Sequence, residues 1–199
     1  MWRLWRQGGL RLRPFERDGL VIVSAGFLIG EGQSLAMAAP LLPAALGQLV
    51  GDVDWGSLDV LLVDLPPGTA DLHQQLLGVV RLDGAVVVVG SQDVAHLDGR
   101  KFVDFLEAAG VPVLGGVENM SGFVCPHCGE PVDVFPRVSE ERSVWADGVP
   151  LIGRIPIEPT LARSPAAGLP SFDPVAARVL GALEQRADAA RSPRRGPKP

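Results

Sequence analysis

Cys125-Pro126-His127-Cys128-Gly129 holds both cysteines of this 199-residue chain, and thiols at that spacing suit metal ligation or thiol exchange. Upstream, the apolar run Leu61-Leu62-Val63 ends in Asp64 and continues as Leu65-Pro66-Pro67-Gly68-Thr69. A carboxylate at the end of a buried strand is placed to hold a magnesium ion through water beside a phosphate. The stiff diproline turn brings Gly68 to a position where a backbone N–H can approach the terminal phosphate closely. Two thiolates are half of a four-coordinate metal or cluster site. The remaining ligands then come from elsewhere, most simply from a symmetry-related copy.

Three chemistries compete for the cysteine pair. A thioredoxin-like redox pair opens a helix whose N-terminus lowers the thiol pKa, and Gly129 and Pro131 oppose such a helix. A zinc site fits the turn but needs a second pair of ligands. A labile iron-sulfur cluster shared between two subunits takes two thiolates from each. His127, on a short loop between the thiols, reads as a surface residue, and His73 and His96 stand singly on helical stretches with no special role. On the nucleotide side the lysines are Lys101 and Lys198, neither of which follows a glycine-rich phosphate loop. Gly8-Gly9 and the glycines between 26 and 32 therefore read as turns.

These groups need a scaffold, and the apolar pattern supplies one. Short runs rich in Val, Leu and Ile predict strands over 20–25, 60–64, 85–89, 111–117 and 151–155. Helical stretches between them cover 39–50, 70–79, 95–109, 140–146 and 175–190, the last with Asp173 as its N-cap. Strand and helix alternate at crossover length, the pattern of an α/β fold with a doubly wound, mainly parallel sheet covered on both faces. One main domain is expected over 20–190, after an irregular segment over 1–19 and before a disordered, proline- and arginine-rich tail over 191–199.

A net charge of -5 opposes a nucleic-acid surface. With cysteine confined to a single C-x-x-C, a reduced, cytoplasmic setting is expected rather than a disulfide framework. The arginine-rich start shares the composition of a transit peptide but has no apolar stretch for secretion. No run reaches the length of a membrane span, since Gly84 and Gly90 bound the valines of 85–89.

Taken together, Asp59 to Asp71, Gln92-Asp93-Val94-Ala95, Val117-Glu118-Asn119-Met120-Ser121, Phe123 to Gly129 and Gly153-Arg154-Ile155-Pro156-Ile157-Glu158-Pro159 resemble the Mrp/ApbC family of iron-sulfur cluster carrier ATPases, relatives of MinD. The resemblance covers about 21–183, and the joint occurrence of the motifs in order is far more specific than any one of them. It implies a P-loop fold and a homodimer bridging a [4Fe-4S] cluster through Cys125 and Cys128, with transfer of the cluster to apo iron-sulfur proteins linked to ATP and magnesium. By the same resemblance Asp64 takes the magnesium-side carboxylate position, Gly68 the γ-phosphate contact and Asn119 the adenine-contacting amide. The other reading of Asn119 is a turn residue after a strand. A zinc-stabilised interaction module on the same fold is the alternative function.

Departures from the family pattern gather on the nucleotide and dimer sides. The family's Walker A strand and helix precede the point where this sequence starts, Met37-Ala38-Ala39-Pro40 stands where the family has Trp-Arg-Gly-Pro, Ala70 replaces a glycine, and Phe135-Pro136-Arg137-Val138 replaces a glycine-rich stretch. A sheet without the Walker A strand exposes apolar edges that invite pairing. A separately encoded N-terminal half is one expected partner. A start codon further upstream, or a decayed gene product, would account for the same departures.

Overall fold

The computed structural model describes residues 4–6, 10–28, 42–65, 70–159 and 170–191. These fall into two compact units, Met1–Arg81 and Leu82–Pro199. In the first, strand β1 (Leu4–Arg6) pairs antiparallel with β2 (Leu10–Leu12), and β3 (Phe15–Arg17) with β4 (Leu20–Ile22). Helices α1 (Leu42–Gly51) and α2 (Ala70–Val79) follow and pack together. Hairpins thus occupy much of the segment expected to be irregular. The strand expected over 20–25 ends at Ile22 and joins an antiparallel pair rather than a parallel sheet.

The expected strand over 60–64 is not formed. Val60, Leu61, Leu62 and Val63 lie exposed outside any strand or helix, Leu62 at 84%. Apolar content fits a segment to be a buried strand, but a ladder needs neighbours to accept and donate its hydrogen bonds. Among the described residues no strand pairs with this one. The stretches 66–69, 37–40 and 192–199, which carry the diproline turn with Gly68, a family departure and the expected tail, lie outside the described residues.

In the second unit the pattern is as the sequence predicts. Strand β5 (Ala85–Gly90), helix α3 (Asp93–Ala108) and strand β6 (Val113–Val124) are followed by the short β7 (Pro131–Val132), strand β8 (Leu151–Ile157) and helix α4 (Asp173–Arg191). Strand β6 is central, with β5 and β8 parallel on its two sides and β7 antiparallel at its far end. Asp173 is the first helical residue of α4 rather than its cap. The helix expected over 140–146 is instead two 3-10 turns, Glu140–Arg142 and Val144–Asp147, each begun by extended backbone.

Alternate residues of the sheet face opposite layers, as the two-residue strand period requires. On one face Val117, Ile152 and Ile155 form a cluster with Val86 and with Val175 and Val179 of α4. On the other, Gly99 of α3 lies so close to the sheet that an added Cβ would stand 2.6 Å from Val89, and Val103 and Leu106 are buried beside it. Helices therefore cover both faces, which defines the doubly wound α/β arrangement. Outside the core, Arg100 grips Asp147 in a bidentate pair at 2.6 and 2.9 Å and Arg142 reaches Asp93 at 2.6 Å, holding the 3-10 turns against α3. Both pairs are part-exposed, so each contributes about 1 kcal/mol or less.

Candidate functional site

Strand β6 is longer than the sheet it crosses, and its excess builds the cysteine site. Register is regular alongside β5 from Val86 opposite Gly115 to Gly90 opposite Asn119, then breaks between Asn119 and Phe123 on the β8 side. At the break Met120 adopts φ +55°, a left-handed conformation rare for a side-chain-bearing residue, and Gly122 adopts φ +137°. The Asn119 carboxamide oxygen accepts the Met120 N–H at 2.9 Å and braces this kink. Beyond it, Phe123 and Val124 pair with Val132 and Pro131, so the end of β6 becomes one arm of a hairpin.

Cys125 to Glu130 form the hairpin loop. The Cys125 N–H donates to the Glu130 carbonyl at 3.0 Å, and the Gly129 N–H donates to the Cys125 carbonyl at 2.8 Å. Gly129 takes φ +74°, which closes the turn where a Cβ would be strained. Both cysteines are free, Cys125 partly and Cys128 fully at the surface. Backbone N–H groups of Cys128 and His127, together with the Cys128 side chain, hydrogen-bond the Cys125 sulfur and hold its pKa below the ordinary thiol value. A loop that stabilises a thiolate in this way is prepared to bind a soft metal.

The hairpin begins no helix, so it lacks the feature expected of a thioredoxin-type pair. His127 is exposed, as its place in the loop predicts. Among the described residues no group of three or more histidine, cysteine, aspartate or glutamate side chains is arranged to hold a metal ion. Cys125 and Cys128 are thus presented as a pair without a third ligand among those residues.

The other expected site residues are placed unequally. Asn119 lies half-buried at the carboxyl edge of the parallel strands, the edge where open α/β sheets bind ligands. Asp64 is exposed in the first unit outside any strand or helix, and Gly68 lies outside the described residues. A cleft of about 570 Å³ in the first unit, lined by residues including Arg13, Glu16, Asp54 and Trp55, includes none of the expected site residues.

Sequence reasoning passed over Glu118. Its side chain is 6% exposed and lies 3.5 Å from Arg154 and 3.8 Å from Arg137. A signal was present: a carboxylate inside an apolar strand must find cationic partners, and Arg154 is its direct cross-strand neighbour on β8. His96 was also undervalued. It is fully buried, its Nδ1 accepts the Val144 N–H at 3.2 Å, and its ring meets Trp145 edge-on at 5.5 Å. Neither its Nε2 nor the Glu118 Oε1 has a hydrogen-bond partner among the described residues.

Burial lowers the His96 pKa from 6.5, while the charges of Glu118 and Asp93 pull it back upward. In the unfolded chain His96 takes up its proton near the ordinary value, whereas the folded chain resists it. The resulting stability is whole above that ordinary value and is lost as pH falls through the lower, folded one. Urea unfolding at about pH 7.5 and about pH 5.5 should therefore show a larger drop in midpoint for the wild type than for His96→Gln. Parallel drops in the two proteins would remove this role.

Against this geometry the comparisons with known proteins are consistent. Residues 5–185 match the family described as "ParA: NUBPL iron-transfer P-loop NTPase". An Arabidopsis thaliana protein named as an iron-sulfur protein required for NADH dehydrogenase, mitochondrial, is 38% identical over 81% of this chain and 51% of its own length. An iron-sulfur cluster carrier protein of Deinococcus radiodurans is 40% identical over 87% of this chain and 50% of its own. The chain thus spans about half the length of these curated relatives. Among solved structures, a nucleotide-binding protein of Archaeoglobus fulgidus in complex with ADP superposes with a TM-score of 0.62 at 30% identity, covering 88% of this chain and 63% of that one.

Proposed function

This chain belongs to the NUBPL-type iron-transfer P-loop NTPases of the ParA family, the kinship its Mrp/ApbC-like motifs implied, and from that premise we propose that it carries an iron-sulfur cluster between two copies of itself. Cys125 and Cys128 of each copy ligate the cargo, and apo iron-sulfur proteins receive it by ligand exchange at the exposed thiolates. The observation that carries this reading is the hairpin at the end of β6, which presents two thiols outward, supports Cys125 as a thiolate and offers no third ligand among the described residues. Exposed Met120, Val124, Val132 and Val134 flank the loop and supply apolar surface for a partner. The cytoplasm, where thiols stay reduced, suits such a labile site. Among the described residues no helix is long and apolar enough to cross a membrane.

The nucleotide side of the reading is incomplete in this chain. By the resemblance Asn119 would contact the adenine, Asp64 would be the magnesium-side carboxylate and Gly68 the γ-phosphate contact; Asp64 lies exposed outside any strand, and Gly68 lies outside the described residues. The residues do not fit a complete ATP and magnesium site, because neither lysine follows a phosphate-binding loop. ATP hydrolysis is accordingly not assigned to this chain.

Anaerobic reconstitution followed by size-exclusion chromatography tests the carrier reading. A 21.0 kDa chain should shift to a brown dimer holding about two iron and two acid-labile sulfide per chain. A colourless monomer after loading would defeat it. Zinc at about half an equivalent per chain, without sulfide, would instead favour the zinc-stabilised module.

A further inference from the structure

The hairpin that carries the cysteines leaves the sheet through a kink, and one side chain spans that kink. Arg137 donates from Nε at 3.0 Å and from Nη2 at 2.9 Å to Asp133 Oδ1, on the chain returning from the hairpin. The same Nη2 donates at 3.1 Å to the Ser121 carbonyl, inside the kinked stretch of β6. Its Nη1 lies 3.8 Å from Glu118 Oε1, below the kink in the body of the sheet. One guanidinium thus touches the outgoing arm, the return arm and the fixed strand beneath them.

Each contact has a physical reason to act together with the others. Glu118 is almost fully buried and is held from the other side by Arg154 at 3.5 Å, so it is an immobile anchor. Asp133 is exposed, and its pair with Arg137 would contribute little by itself. The planar, five-donor guanidinium hydrogen-bonds Ser121 and Asp133 while its Nη1 stays within ion-pair distance of Glu118, a combination that an ammonium cannot make. Immediately after Arg137, the Val138 N–H donates to the Ser91 carbonyl at 2.9 Å, pinning the same stretch to the end of β5. The kink carries backbone strain, with positive φ at Met120 as well as at Gly122, and such a conformation persists only where surrounding contacts hold it.

We infer that Arg137 is a positioning residue for the cysteine pair: by tying Ser121 and Asp133 to Glu118 it fixes the angle at which the hairpin presents Cys125 and Cys128 to their metal cargo. The inference rests on the carrier reading above for the identity of that cargo, and for the clamp on the Arg137 hydrogen bonds together with its ion pair to Glu118. Supporting residues behind metal ligands typically alter affinity by 10- to 100-fold. Arg137 acts in that way through the hairpin backbone, since it contacts neither sulfur.

The test compares wild type with Arg137→Met, which keeps an unbranched apolar stem and loses every donor, and with Arg137→Lys, which keeps charge and loses the fork. Amide hydrogen exchange on the metal-free chains should quicken roughly tenfold over 121–133 in Arg137→Met, with α3 and β8 unchanged and Arg137→Lys in between. Unchanged exchange over 121–133 overturns the clamp. Cobalt(II) added to the same proteins reports on thiolate geometry through its visible absorption. Wild type should bind it roughly tenfold more tightly than Arg137→Met, with a different band pattern. Identical spectra and affinities overturn the positioning role even where exchange has quickened. If neither iron-sulfur cluster nor cobalt binds to the wild type, the carrier reading falls, while the exchange comparison still decides whether Arg137 holds the hairpin.

Discussion

Cys125→Ser and Cys128→Ser should each abolish cluster uptake, lowering bound iron and acid-labile sulfide by at least about tenfold after anaerobic reconstitution. Serine occupies nearly the same space as cysteine but stays protonated at neutral pH, and only a thiolate is a strong ligand for iron. The loop is closed by the Cys125 backbone N–H and carbonyl, together with Glu130 and Gly129, and a serine oxygen can still accept from the His127 and Cys128 N–H groups that meet the Cys125 sulfur. The variants should therefore keep the wild-type circular dichroism and unfolding midpoint, which separates loss of a ligand from loss of the fold. They should also remain monomeric under loading, because the cargo is what joins the copies. Full iron content in either variant would exclude that sulfur from the ligand set. Retention of zinc but not of cluster chemistry would move the assignment to the zinc-stabilised module.

The second unit was legible because its strands are buried on two faces by elements of the same chain. Runs such as Ala85 to Val89 and Leu151 to Ile155 form parallel ladders with β6, which passes its predicted end at Val117 first within those ladders, to Asn119, and then in the hairpin arm. The run ending at Asp64 has the same composition and is not a strand, since among the described residues nothing pairs with it. Composition reports what a segment could bury, whereas the ladder depends on who is beside it. At the site, the cysteine spacing and the following Gly129 were readable, and so was Asn119 at the strand end. Glu118 was readable as a carboxylate that needs a cationic partner, but which cation was not, since Arg154 lies on another strand, and the Arg137 clamp was not, because it reaches Ser121 across the kink. A lone arginine after a hairpin carries no sequence mark of what it will reach.

Gly115→Ala should be the most damaging single-methyl change in the second unit. Gly115 adopts φ +156°, and a Cβ there would collide with Ile152 Cγ2 and stand 3.0 Å from the Pro150 carbonyl oxygen. Neither neighbour can yield easily. Ile152 is 8% exposed and belongs to the cluster with Val117 and Ile155, and the Pro150 carbonyl is held by the Gly116 N–H at 2.8 Å. Backbone strain and overpacking together should cost about 3 kcal/mol, a fall in Tm of roughly 6–12 °C for a chain of this size. Gly110→Ala provides the contrast, since Gly110 has φ +69° with nothing within 4 Å of its Cβ position. It isolates the backbone cost, about 1 kcal/mol. Equal losses in the two variants would mean that β6 and β8 do not approach as closely at Gly115 as the structure shows. A larger loss at Gly115 would establish that close approach, on which the register of β6 depends, and with it the placement of Asn119 at the edge and of Cys125 beyond it.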